Sequence, residues 1–240
     1  MLRYDTLRHN RRKFLALTGI TPKEFKILLP AFERAYARAY PANKTLAGKR
    51  RKRKAGGGRN GSLDSIEQKL LFVLVYQKTY PLQELLGAVF ELSQSRANRW
   101  IHRLLPILKE ALDDLEVLPE RDPHQFAQHE KRQQETRDFI IDGTERRRQR
   151  PQNPEKQALH YSGKKKTHSD KNVVIANTKT KRIGYLSQTY AGKTHDKKIA
   201  DQESIVYPRG TKLGKDTGFQ GYEPPGCQTY QPKKSRAMAN

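Results

Sequence analysis

Cysteine is all but absent from the 240 residues: Cys227 stands alone, which excludes an internal disulfide and any cysteine-rich zinc module. Long apolar runs are missing too. No stretch approaches the ~18 residues that a membrane span requires, and residues 1–10 hold no apolar signal core, so the sequence predicts a soluble, cytoplasmic protein with no membrane partner. Hydrophobic residues make up 35%, below the roughly 45% of ordinary globular chains, a figure that counts glycine as well. Part of the chain is therefore expected to stay unpacked. Acidic residues are scarce: 25 Asp and Glu face 48 Lys and Arg, a formal charge of +23. That balance speaks against an ordinary enzyme of neutral small molecules and for a polyanionic partner.

The charge is unevenly spread. Residues 1–61 carry 17 basic and 3 acidic side chains, residues 62–141 carry 10 and 13, and residues 142–240 carry 21 and 9. Two cationic regions thus flank a nearly neutral middle. The densest run, Lys49, Arg50, Arg51, Lys52, Arg53 and Lys54, leads into Gly56, Gly57, Gly58, Arg59, Asn60 and Gly61. It is too polar and glycine-rich to pack and reads as a basic linker, either a solvated tether or a phosphate-binding arm whose affinity falls with salt.

Thr21, Pro22 and Glu24 form a helix-start signal, and Phe25, Leu28, Leu29, Phe32 and Tyr36 recur at helical spacing, which predicts a helix over 22–40. Asp64 with Glu67 repeats the capping pattern ahead of a central helix that reaches about residue 77. Two further apolar stripes follow, Leu82, Leu85, Leu86, Val89 and Phe90, then Ala97, Trp100, Ile101, Leu104, Leu105 and Leu108. Residues 113–134 are polar with Pro119 and Pro123 and read as a connector. From Phe139 the pattern turns to short β-rich runs at 139–141, 173–176 and 183–186, where a second domain is expected to begin.

Helices over 81–90 and 94–108, with a short polar break between them, have the dimensions of a helix-turn-helix. If the second helix buries its apolar stripe, Gln94, Ser95, Arg96, Asn98, Arg99, His102 and Arg103 face outward. Arg can contact guanine bidentately and Asn or Gln adenine, so Arg96, Asn98 and Arg99 are candidates for base readout, with Gln94 and Arg103 beside them. The plainer alternative is a helical hairpin with a solvated face. Trp100 belongs to the buried stripe and reads as core.

In the β-rich part, Asp142 ends the run Phe139, Ile140, Ile141 beside Gly143. A carboxylate at a strand end is open to a hard cation. Asp216 follows Lys215 and precedes Thr217, Gly218 and Phe219, and the separation of 74 residues between the two acids leaves room for strands that would bring them to one sheet. Spacing alone makes this a weak pair among 25 acids.

More specific is the ordered series Asp142-Gly143-Thr144-Glu145, Gln149-Arg150-Pro151, Pro154-Glu155-Lys156-Gln157, Tyr161-Ser162-Gly163-Lys164-Lys165-Lys166, Thr194-His195-Asp196-Lys197-Lys198-Ile199-Ala200-Asp201 and Asp216-Thr217-Gly218-Phe219-Gln220-Gly221. It resembles the DDE superfamily of insertion-sequence transposases, in particular the branch that also contains the harbinger-type enzymes, over about residues 62–236. The resemblance implies an α/β fold, with a helical helix-turn-helix region ahead of a ribonuclease-H-like mixed sheet flanked by helices. It implies Asp142 and Asp216 as catalytic, metal-binding aspartates that hold two Mg²⁺ or Mn²⁺ ions ~3.5–4 Å apart for phosphodiester hydrolysis and strand transfer. Asp196 and His195 would be supporting residues, and Lys164, Lys165 and Lys166, with Arg146, Arg147 and Arg148, would line the DNA strand or merely solubilise the surface. The implied partners are double-stranded transposon-end and target DNA on the nucleoid, and a homo-oligomer on that DNA is allowed.

The family's third acid, a glutamate on an arginine-rich helix well after the second aspartate, has no counterpart here. Glu223 sits beside Pro224 and Pro225, Glu203 precedes Asp216, and the match lapses at Ser235. The segment before Asp216 is also a weak strand, with Gly214 and Lys215 where branched residues are expected. The expectation is a truncated or frameshifted transposase, divided as 1–61 (helix and linker), 62–115 (helix-turn-helix), 116–138 (connector) and 139–240 (incomplete catalytic domain). Its alternative is an inactive DNA-binding regulator.

Overall fold

The computed structural model describes residues 1–43, 49–50, 61–133 and 137–231. Of the basic linker expected at 49–61, residues 51–60 lie outside the described residues, as do 134–136 and the tail from Pro232. The chain is mixed α/β and divides into two compact units, 1–117 and 118–240.

The first unit is helical: α1 (Tyr4–Leu7), α2 (Arg11–Thr18), α3 (Pro22–Ala39), α4 (Ile66–Thr79), α5 (Gln83–Phe90) and α6 (Gln94–Asp114). Thr21 and Glu24 close the capping box that the sequence predicts for α3, each side chain accepting from the other's backbone N–H. The cap of α4 differs from expectation. Ser65, one residue after Asp64, accepts from Gln68 N at 3.1 Å, while Asp64 pairs with Arg3 at 3.3 Å. Leu70, Leu71, Phe72, Val73, Leu74 and Val75 are all buried, so α4 is the central helix. Each such side chain contributes about 1.5–3 kcal/mol. Buried Gln68 donates to Leu2 O (2.6 Å) and accepts from Tyr4 N (3.0 Å), tying the N-terminal segment to α4. The sequence sets 1–61 apart from 62–115, yet the described helices on both sides share one core, with Tyr4 stacked on Phe25 and Phe14 edge-on to it.

The stripe expected on α5 splits. Leu86 and Phe90 are buried, whereas Leu82, Leu85 and Val89 are 80%, 57% and 36% exposed. Leu82 caps the helix from outside, and Leu85 and Val89 fall on the far side of a helix only eight residues long. Helix α6 outruns its expected end by six residues, burying Ala111 beyond Pro106.

The second unit contains α7 (Phe126–Gln133), β1 (Asp138–Arg147), α8 (Pro154–His160), β2 (Tyr161–Ser162), β3 (Thr167–Asn177), β4 (Ile183–Leu186), β5 (Tyr190–Ala191), α9 (Asp196–Glu203), β6 (Thr211–Lys215) and β7 (Cys227–Tyr230). Strand order is β2-β3-β1-β6-β7, with β4 and β5 also pairing with β3. β1 runs antiparallel to β3 and parallel to β6, and β6 runs parallel to β7. This mixed sheet with flanking helices is the architecture that the ribonuclease-H-like expectation calls for. Part of the expected connector belongs to it, since Glu120 exchanges backbone bonds with Gly184 and Leu186 and Phe126 packs on Phe139, Tyr185 and Tyr207.

β6 forms despite its weak sequence because each awkward residue has a partner. Gly214 lies where a Cβ would come within 2.8 Å of the Tyr230 ring. The ammonium of Lys215, whose side chain is 2% exposed, donates to Tyr222 O and Glu223 Oε1 at 2.5 Å each. That bond holds the Glu223 carboxyl below its ordinary range and commits Glu223 to the fold.

At the far end of α9, buried Glu203 accepts from the hydroxyls of Tyr185 and Tyr190 and from Gln188 N. Burial and the neighbouring carboxylate push the Tyr190 phenol up to about 12 and Tyr185 higher still, so both remain donors. Tyr185→Phe leaves Glu203 short of a donor and is expected to cost about 1–3 kcal/mol, read as a lower urea midpoint. Tyr161→Phe, at an exposed ring, should stay within about 0.5 kcal/mol. Equal effects would contradict the assignment of Glu203 as the anchor of α9.

Candidate functional site: a carboxylate rim and a helix-turn-helix

The parallel ladder between β1 and β6 sets the site. Its pairs run from Asp138↔Lys212 to Ile141↔Lys215, so the next residue on each chain is Asp142 and Asp216. Neighbouring strands lie about 4.8 Å apart, which puts these two residues on adjacent positions at one rim of the sheet. Both are exposed. Asp142 is not at a strand end, as the short apolar run suggested. β1 continues to Arg147 because the polar half of β3 pairs with it, and the end that matters is that of the β1–β6 pairing.

Each aspartate is held locally. Asp142 Oδ1 accepts from Gly143 N at 2.8 Å, and Asp216 Oδ1 accepts from Gly218 N at 2.9 Å, capping the 3₁₀ turn Thr217–Phe219. Gln231 Nε2 donates to Asp216 O at 2.8 Å, and Phe219 is buried in the core below. Among the described residues neither aspartate has a cationic partner, and no hydrogen bond reaches Oδ2 of either.

Asp196, in the first turn of α9, sits over two glycines of these motifs. A Cβ at Gly143 would lie 2.7 Å from Asp196 Cγ, and one at Gly218 would lie 3.2 Å from Asp196 Oδ2 and 3.1 Å from Asp216 Oδ1. The two acids therefore approach one point that only glycine leaves open. Lys171 Nζ donates to Thr194 O at 3.0 Å and stands 3.2 Å from Asp196 Oδ1, a buried oxygen that no hydrogen bond among the described residues reaches. His195 precedes α9 as an exposed cap with no side-chain bond to the helix. Lys171 was not legible as part of this site, since it is one polar residue in a strand half full of them.

Hard carboxylate oxygens around a space that a Cβ would fill suit a divalent cation such as Mg²⁺, which takes one or two carboxylates and keeps water and phosphate for its other positions. No group of three or more acidic, histidine or cysteine side chains suited to a metal occurs among the described residues.

Around the rim, Arg148 pairs with Asp170 at 2.9 Å and Arg146 donates to Asn172 at 2.8 Å, so of the three arginines Arg147 alone is exposed without a side-chain partner among the described residues. Lys164, Lys165 and Lys166 occupy the exposed turn between β2 and β3, Lys166 at φ 53°.

In the first unit, α5 and α6 are joined by Glu91, Leu92 and Ser93, a three-residue turn. Gly87 makes the turn possible, since a Cβ there would come within 2.6 Å of Leu92 O. Gln94, Ser95, Arg96, Arg99, His102 and Arg103 are exposed on α6. Asn98 is half-buried instead, because its amide donates to Gln83 Oε1 at 3.2 Å, as Gln94 does at 2.7 Å. Gln83 thus joins the two helices, a role its sequence did not reveal. Trp100 is half-buried between the cations of Lys69 and Arg103, 5.9 and 5.7 Å from its ring.

Residues 61–114 match the family model described as "Helix-turn-helix of DDE superfamily endonuclease", and residues 141–239 match "DDE superfamily endonuclease". Neither a curated protein nor a solved structure matches the chain. Enzymes of this superfamily generally use divalent metal ions. No described helix is long and apolar enough to cross a membrane. With both matched segments in the expected order, and each mapping onto the geometry above, the chain belongs to the DDE superfamily of transposase-type endonucleases and carries a helix-turn-helix ahead of its nuclease domain.

Proposed function

We propose that the protein is the transposase of an insertion sequence. It binds the double-stranded terminal repeats of its element through α6, acts on chromosomal DNA in the cytoplasm as a homo-oligomer, and carries phosphodiester hydrolysis and strand transfer on Asp142 and Asp216. The observation that carries this reading is the β1–β6 register, which ends on two adjacent aspartates that have no cationic partner among the described residues.

In that reading the backbone N–H groups of Gly143 and Gly218 hold Oδ1 of each aspartate and leave Oδ2 as the open acceptor. A divalent ion bound there, Mg²⁺ or Mn²⁺ and in the complete site two of them, supplies Lewis-acid polarisation of the phosphodiester and a more acidic water. Asp196 stays a supporting residue that packs on Gly143 and draws Lys171 to the rim. Lys164, Lys165, Lys166 and Arg147 take phosphates of the bound strand, a contact that positions DNA without reading it. Arg96 and Arg99, exposed on α6, read base edges, while Gln94 and Asn98 serve the helix joint through Gln83.

A second reading, a DNA-binding product that occupies the ends without cutting them, is favoured by the lack of a third metal-binding side chain among the described residues. Two acids hold an ion pair loosely, so cleavage by this chain alone is expected to be slight. Incubation with end DNA and Mg²⁺ or Mn²⁺ separates the readings. Nicking that Asp142→Asn and Asp216→Asn both abolish supports the nuclease, nicking that survives either substitution contradicts it, and binding without nicking above the Asn variants supports the regulator. For the reader helix, Arg99→Ala is expected to cost about 1–3 kcal/mol on end DNA and to narrow the margin over unrelated DNA. An unchanged margin would remove Arg99 from the readout.

A further inference from the structure

An open cleft of about 720 Å³ lies in the second unit, between α8 and the β2–β3 hairpin, lined by Arg150, Pro154, Gln157, Tyr161, His168 and Lys193 among others. That volume is within the range of small-molecule sites. Its floor is aromatic. Tyr161 pairs with His168 across the hairpin, and the His168 ring braces it edge-on, with centroids 5.6 Å apart and planes at 70°. Tyr161 as a residue is nevertheless 42% exposed, and it lines the open cleft.

The walls are cationic and built. Arg150 is fixed by two bonds from its guanidinium to Gln157 Oε1, at 2.9 and 3.1 Å, and that neutral partner leaves its charge uncompensated. Lys193 is held in place by its backbone N–H, which donates to Leu159 O at 3.2 Å. Among the described residues neither cation is in an ion pair. The turn that carries Lys164, Lys165 and Lys166 leaves directly from β2. An exposed aromatic ring beside cations with no acid to neutralise them is the combination that holds unpaired nucleotides, the ring stacking on the base and the cations taking the phosphates on either side.

We propose that this cleft is a subsite for an unpaired nucleotide of the bound DNA, with Tyr161 as the stacking platform and Arg150 and Lys193 as the phosphate contacts. It lies along the strand that carries the rim: Asp142 pairs with Val174 on β3, and His168 is six residues earlier on that strand, about 20 Å away. An unpaired base captured there anchors a strand whose next few nucleotides reach the carboxylates. The inference rests on the DNA-binding reading above and adds that the nuclease unit prefers a locally unpaired strand.

The test uses the full chain with two probes, a blunt duplex and the same duplex extended by a short single-stranded overhang that carries the fluorescent base 2-aminopurine. Wild type is expected to bind the overhang probe about tenfold more tightly and to quench its fluorescence. Tyr161→Ala should lose both the preference and the quenching, Tyr161→Phe should keep both, and all three proteins should bind the blunt duplex equally. No preference in wild type, or a preference that survives Tyr161→Ala, overturns the subsite while the DNA-binding reading stands. Failure to bind either probe overturns that reading and the subsite with it.

Discussion

The nuclease unit depends on the register between two parallel strands. β1 and β6 are 64 residues apart at their nearest ends, yet their pairing stops at Ile141↔Lys215, so Asp142 and Asp216 emerge side by side. A slip of one residue would turn one of the carboxylates to the opposite face of the sheet. The register is secured on the buried face, where Phe139, Ile141 and Leu213 are almost fully excluded from solvent, and by Lys215, whose buried ammonium is satisfied only if it reaches Tyr222 O and Glu223. A lysine in a core strand is costly unless paired, and here its pairing also fixes the backbone next to the second aspartate.

α9 adds a second constraint. Its first turn places Asp196 against Gly143 and Gly218, and its last turn ends at Glu203, bound by two tyrosines and a backbone amide. The helix is thereby fastened at the end away from the rim, and the acid at the other end is held where a larger residue at 143 or 218 would collide with it. In the first unit a single glutamine does comparable work, since Gln83 receives amides from Gln94 and Asn98 and sets α5 against α6. The exposed arginines of α6 are presented by that joint.

Much of this was legible from the residues. The cap and stripe of α3, the all-round apolar α4 and the two helices after it followed from period and capping chemistry, because those signals are local. The order of the aspartate motifs was legible through resemblance, since their spacing alone selects nothing among 25 acids. What escaped was non-local. β6 reads as a poor strand because the partners of Gly214 and Lys215, namely Tyr230, Tyr222 and Glu223, lie further along the chain. The exposure of Leu82, Leu85 and Val89 escaped because a stripe predicts one buried face, whereas Leu82 precedes α5 and the eight-residue helix buries only Leu86 and Phe90 of the stripe. The capping role of Ser65 was hidden by Asp64, an equally good cap that Arg3 draws away.

The central claim is that Asp142 and Asp216 act on one divalent cation. Paramagnetic broadening of backbone amide signals by substoichiometric Mn²⁺ tests it directly. The account predicts that the amides of residues 142–143 and 216–218 broaden together at the same Mn²⁺ concentration, and that Asp142→Asn relieves the broadening at both stretches. Broadening confined to one stretch, or centred elsewhere in the chain, would contradict it.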